Sequence, residues 1–307
     1  MSATPALEYP GYEAICPWHH RQPFDRVEQF PRLVSKADAL YQSWAPAPGN
    51  STPSWMYVST RRVNCGTFYV HPGGWFDPGN HPGPEPYYIL KGALHLSNPD
   101  TSDVIEVRAG DASNIPAFAY HHAWNFGDET CEILWWVPGE MHTDEFKAKL
   151  DRNAADPQWY DRTAVMLNGP NERNEGFPSH LDDLAGWPPA QSTKAALDMQ
   201  HLPPSTWLRL LQGSDPRLTV LVSYFYCDAQ IRCGKVSLPA GRESQPESGA
   251  WEKTLYVERG RLSVNLTGTG KSLLAGPGDV VFLPPGTEHS LQAIGDEPVE
   301  ALVAEVP

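Results

Sequence analysis

The sequence has little of what marks a membrane, secreted or nucleic-acid-binding protein. No run approaches the roughly 20 apolar residues of a membrane span, and the stretch Met1 to Pro10 has neither a basic start nor an apolar core. Positive charge is scarce. Lys and Arg number 23 against 37 Asp and Glu, a formal net charge of −14, so nucleic acid and an anionic membrane surface would both repel the chain. Cysteine is scarce too: the five residues at 16, 65, 131, 227 and 233 make no CxxC pair and no disulfide framework, and an odd count suits a reducing compartment. These absences predict a cytoplasmic protein.

Proline and glycine, by contrast, are plentiful at 31 and 25, spread as punctuation between short β-type runs. With 40% hydrophobic and 20% charged residues over 307 positions, the chain can bury one large or two ordinary cores. The pattern predicts an all-β fold of barrels or sandwiches. Residues 1–54 lack periodicity and carry many prolines, so they read as an N-terminal arm with a short helix at Asp38 to Tyr41. The adjacent His19 and His20 diverge on any regular element, which favours a surface or capping role. From Trp55 the strands begin: Met56–Thr60, Val63–Val70, the segment 79–92, Val104–Val107, the segment 117–125, and Cys131–Val137. A helix capped by Thr143, with Phe146 and Leu150 on one face, closes a first unit at 55–167. Residues 168–205, rich in Pro, Gly, Asn and Ser, read as a linker with a short helix near Lys194 to Leu197, leaving 206–307 as a second unit.

Three residues able to bind a metal stand inside the strand and turn pattern between Gly79 and Asn125: His81, Glu85 and His121. Prolines at 82, 84 and 86 exclude a helix, and in an extended chain His81 and Glu85 share a face. Two imidazoles and a carboxylate are the donor set that suits Fe(II), and also Mn, Ni or Zn. The same parity places Tyr87 and Ile89 beside Glu85, and Ala123 and Asn125 beside His121, while His122 points away. Tyr87 is the candidate to move a proton. Asn125 either hydrogen-bonds behind the ligands or satisfies backbone. Trp75, Phe76, Trp135 or Trp136 are candidates to close the mouth of an aromatic, largely neutral pocket, which suits a small planar substrate that chelates through oxygen.

The second half repeats the first at an offset of 168 positions. The shift lays Val63-Asn-Cys65-Gly66 on Ile231-Arg-Cys233-Gly234, Gly92 on Gly260, Gly110-Asp111 on Gly278-Asp279, Pro116 on Pro284 and His121 on His289, with no gap. So many coincidences at one offset predict two copies of one barrel. The copies differ where it matters: His81 falls on Gly249 and Glu85 on Lys253, so the second copy is expected to have lost its metal.

The spacing Glu85-x6-Gly92 and Gly110-x5-Pro116-x4-His121-x3-Asn125 resembles the two motifs of the cupin superfamily, and the duplication resembles a bicupin. The resemblance covers roughly 55–140 and 220–305 and implies two tandem double-stranded β-helix (jelly-roll) barrels. It implies metal ligands at His81, Glu85 and His121; the first histidine of the family's pattern is replaced by Gly79, and Phe118 stands where a glycine is usual. Asp77 and His71 are the residues nearest in sequence that could make good the lost ligand. The family's reactions are many, and three ligands on an octahedral metal leave room for a bidentate substrate and dioxygen. The expectation is an Fe(II) dioxygenase that takes a small molecule and dioxygen as partners, as a homodimer by analogy. A non-oxidative isomerase, lyase or decarboxylase is the alternative, and a non-catalytic binding protein the third reading.

Overall fold

Short runs of branched and aromatic residues, many of them closed by a glycine or proline, become strands throughout. The computed structural model describes residues 30–47, 50–60, 62–79, 83–98, 101–117, 119–139 and 198–307. Its first half contains β1 (Arg32–Val34), β2 (Leu40–Ala47), β3 (Asn50–Ser59), β4 (Val63–Val70), β5 (Trp75–Gly79) and β6 (Glu85–Lys91). It continues with β7 (Ala93–Asn98), β8 (Asp103–Arg108), β9 (Ala112–Ile115), β10 (His121–Trp124) and β11 (Cys131–Pro138). The second half opens with β12 (Gln200–Leu202), β13 (Leu208–Gln212), β14 (Val220–Cys227), β15 (Arg232–Leu238) and β16 (Glu252–Arg259). It ends with β17 (Leu262–Leu266), β18 (Lys271–Ala275), β19 (Val280–Leu283), β20 (His289–Ala293) and β21 (Val299–Val306). Among the described residues one 3-10 turn, Pro204–Thr206, is the only helical element.

Each half is a pair of antiparallel sheets. The first barrel has a seven-stranded sheet in the order β12-β9-β6-β11-β4-β3-β2, facing a four-stranded sheet, β5-β10-β7-β8. The second has β1-β19-β16-β21-β15-β14-β13 facing β18-β17-β20. The offset of 168 that carries Gly66 to Gly234 carries the strands of one large sheet onto those of the other. The counterpart of β5 shrinks to two isolated bridges, Glu243 to Gln292 and Glu247 to His289.

The repeated glycines have a geometric reason. Gly92 and Gly260 take φ of 75° and 77°, and Gly110 and Gly278 take 90° and 88°, a left-handed region that side chains disfavour. Gly66 and Gly234 sit where strands approach closely: a Cβ would lie 2.6 Å from the Trp55 carbonyl oxygen and 2.8 Å from that of Ser223.

The arm expected at 1–54 is corrected in its C-terminal part. β2 and β3 are strands of the first barrel's large sheet, and the helix expected at Asp38 to Tyr41 is a turn leading into β2. β1 crosses over instead, its Arg32, Leu33 and Val34 pairing with Phe282, Val281 and Val280 of the second barrel. In reciprocal fashion, the end of the expected linker forms β12, whose Gln200, His201 and Leu202 pair with Asn114, Ser113 and Ala112 of the first barrel. Each barrel's sheet is thus completed by the segment that precedes the other. The helices expected at Thr143 and near Lys194, and His19 and His20, lie outside the described residues.

Packing joins the barrels further. One hydrophobic cluster runs from the first interior, through Tyr57, Tyr88 and Trp136, to Phe225, Tyr256 and Leu302 of the second half. Tyr57 meets Tyr256 with ring centroids 6.2 Å apart, and Tyr88 meets Phe225 at 6.1 Å, the same contact seen from each half. Trp136 Nε1 donates to Thr254 Oγ1 at 3.1 Å and Thr60 Oγ1 to Glu252 Oε2 at 2.6 Å. A separate cluster, including Val222, Leu255, Leu262 and Leu291, fills the second barrel.

Candidate metal centre

Glu85 opens β6 and His121 opens β10, and the two strands belong to the facing sheets of the first barrel. Both side chains are buried. His121 Nε2 lies 3.1 Å from Glu85 Oε2. The other ring nitrogen, Nδ1, is 3.1 Å from the Ala119 carbonyl oxygen; a carbonyl only accepts, so Nδ1 carries a proton and Nε2 is the ring atom turned toward the carboxylate. An imidazole nitrogen and a carboxylate oxygen are both metal-ligand atoms, and two such atoms each about 2.1 Å from one divalent ion and at right angles stand about 3 Å apart. A histidine fixed through its second nitrogen to a backbone carbonyl is also the usual arrangement behind a metal ligand. The donor set therefore fits a divalent metal.

Tyr87, two residues along β6, donates its hydroxyl to Glu85 Oε2 at 2.8 Å. Burial pushes the phenol well above its ordinary pKa of 10, and the adjacent Glu85 carboxylate pushes it further. Its proton stays in place to orient the carboxylate. Around this pair lies an aromatic wall. Phe68 packs edge-on to both Phe76 and Tyr87 at 5.4 Å, and Phe76 stands edge-on to His121 at 6.0 Å. Trp75 stacks on Trp124 at 5.2 Å.

Of the residues singled out from sequence, Glu85, Tyr87 and His121 come together. His81, the third expected ligand, and Phe118 lie outside the described residues; among those that are described, no group of three His, Cys, Asp or Glu converges as a metal site. Gly79 pairs directly with His121 across β5 and β10, so the position beside His121 carries no side chain. Asn125 is a brace rather than a catalytic group: its amide donates to the Val70 and Glu129 carbonyls at 2.7 and 2.8 Å and accepts from the Gly127 N–H at 2.8 Å. Parity misplaced it because the register shifts between His121 and Ala123 and the strand ends at Trp124. His71 is exposed and bonds Thr130 Oγ1. Phe76 flanks the pair, whereas Trp136 is buried against the second barrel.

The equivalent place in the second barrel is built differently. Lys253, at the position of Glu85, is ion-paired to Glu247 and, at 3.0 Å, to Glu305 Oε1. Glu247 stands at the position of Gly79 and bridges His289 as Gly79 does His121. Burial would raise the Glu247 pKa, but His289 and the Lys253 ammonium outweigh it and hold it at about 2; at 3.4 Å, His289 Nε2 contributes less than the closer ammonium. At the position of His81, Gly249 leaves room for Trp251, whose ring would lie 2.2 Å from any Cβ there. Sequence reading missed Glu247 and Glu305, although the offset applied to Gly79 points to the first.

Comparison with known proteins agrees with this architecture. A profile of the cupin domain matches residues 66–137 and again 234–305. Among curated proteins nothing matches the sequence. Among solved structures, AerE from Microcystis aeruginosa is similar with a TM-score of 0.57 at 10% identity, over 88% of this chain and 98% of that one. Lactobacillus farciminis oxalate decarboxylase in its formate complex aligns with a TM-score of 0.62 at 16% identity, over 91% and 88%. A Bacillus subtilis oxalate decarboxylase studied for its Mn(II) centres aligns at 0.59 and 15%, over 89% and 76%. At such identities the likeness is one of fold. With the cupin domain found at both places the internal repeat marks, this chain belongs to the cupin superfamily as a bicupin.

Proposed function

We propose that the protein is a metal-dependent enzyme whose first barrel binds a divalent ion, Fe(II) before Mn, Ni or Zn, through Glu85, His121 and His81. The observation that carries this is the juxtaposition of two metal-ligand atoms, Glu85 Oε2 and His121 Nε2, 3.1 Å apart in a buried site. The reaction we assign is oxidation of a small, oxygen-chelating substrate by dioxygen. The metal, when bound, supplies Lewis acidity and redox chemistry. The chain's own groups do the rest. The Ala119 carbonyl keeps His121 in one tautomer, Tyr87 orients Glu85, and Phe68 and Phe76 exclude water and present flat apolar faces to a planar substrate. Gly79 opposite His121 puts no side chain of its own on that flank. Because the Tyr87 proton is committed to Glu85, a reaction without a tyrosine acid or base is preferred.

A second reading, non-oxidative decarboxylation, isomerisation or lysis at Mn, is favoured by the oxalate decarboxylases among the similar folds. Metal analysis after anaerobic purification, followed by oxygen uptake with catechols, hydroxylated benzoates, diketones and oxalate, separates the two. Stoichiometric iron with substrate-dependent uptake is expected. Manganese with carbon dioxide released from oxalate and no uptake would establish the second reading instead. His121→Ala is expected to abolish metal binding and His289→Ala to leave it intact; equal loss would overturn the choice of barrel.

A further inference from the structure

The second barrel, at the place of the first barrel's His–Glu pair, has a half-open pocket of ≈ 280 Å³. Apolar side chains such as Val222, Leu255 and Leu291 line its body, and Lys253, Glu247 and Glu305 are its charged groups. Lys253 is 5% exposed. An ammonium has three donors; one goes to Glu247 Oε1 and one to Glu305 Oε1, and the same side chain lines the pocket. A third N–H of Lys253 is then available to an acceptor that enters the pocket.

Charge selects the ligand. Two carboxylates, Glu247 and Glu305, are balanced by the Lys253 ammonium and by the Arg232 guanidinium, which ion-pairs Glu305 and lies over the Trp251 ring at 4.6 Å. A charged ligand brought to a balanced buried cluster would itself be uncompensated. A neutral oxygen acceptor would not. Held between two carboxylates, Lys253 acts in this site as a hydrogen-bond donor.

We propose that the C-terminal barrel is a second binding site, in which Lys253 donates to the oxygen of a small, uncharged, apolar-bodied molecule such as a ketone, an ester or an alcohol. The site is independent of the metal assigned to the first barrel.

The test is calorimetric titration of the chelator-treated full chain with three probes of matched shape: acetophenone, ethylbenzene and benzoate. Acetophenone is expected to bind at least about ten-fold more tightly than ethylbenzene, which lacks the acceptor, and than benzoate, which is charged; about ten-fold is the scale of one hydrogen bond from a charged donor. Lys253→Met is expected to erase the advantage of acetophenone. Val222→Leu, which leaves the charge cluster whole and narrows the cavity, should weaken acetophenone several-fold, and it keeps the test decisive if Lys253→Met fails to fold. No acetophenone binding by the unmodified chain, equal affinity for all three probes, or unchanged affinity in Val222→Leu would each overturn the proposal.

Discussion

Removing the Tyr87 hydroxyl takes away the donor that holds Glu85 Oε2 at 2.8 Å while leaving the ring against Phe68. Tyr87→Phe is therefore expected to weaken metal binding by about 10- to 100-fold, the usual cost of losing a partner behind a ligand, with little change in melting temperature. Metal titration beside a melting curve checks both halves of the statement. In the second barrel Glu247 sets an acid limit. Its folded pKa of about 2 lies below the ordinary value of 4.5, so its contribution is fully present above pH 4.5 and is lost as pH falls from there toward 2. The linkage amounts to up to about 3 kcal/mol. Urea unfolding followed across that window should show a slope in the native protein that Glu247→Gln flattens.

At the scale of the element, the exchanged strands make a prediction that sequence distance would not suggest. Val34 is 4% exposed and pairs with Val280, so Val34→Asp places an unpaired carboxylate against the second barrel, at a cost of about 3 kcal/mol. Hydrogen exchange should accelerate in β19 and β16 while β9 and β6 remain protected; acceleration in the first barrel alone would contradict the pairing. This exchange is also where sequence reading stopped short. The repeat was legible because Gly92, Gly110 and their counterparts are held by positive φ, and Gly66 and Gly234 by close strand approach, so each left the same residue at the same offset. Three-residue strands such as β1 and β12 have no periodicity, and their partners lie far along the chain. β9 was hidden for another reason: Ala112, Ser113, Asn114 and Ile115 are all buried, yet two are polar, because strands pair on both their sides. Glu85 and His121 were legible as chemistry. Asn125 was not, because a register shift breaks the alternation on which parity arguments rest.

For the whole molecule, the shared core decides how the protein comes apart. One hydrophobic cluster spans both halves, and each large sheet borrows its edge strand from the other half's leading segment. The described fold is therefore expected to melt in one calorimetric transition whose van't Hoff and calorimetric enthalpies agree. Two resolved transitions would mean that the barrels are thermodynamically separate. The exchange is symmetrical in space, but not in time. β12 leaves the ribosome when its partner β9 is already made, so the first large sheet can close as soon as Leu202 appears. β1 emerges early, and its partner β19 is among the last strands synthesised. At typical elongation rates β1 waits on the order of tens of seconds, and the barrel bearing Glu85 and His121 can close before the barrel bearing Lys253 exists.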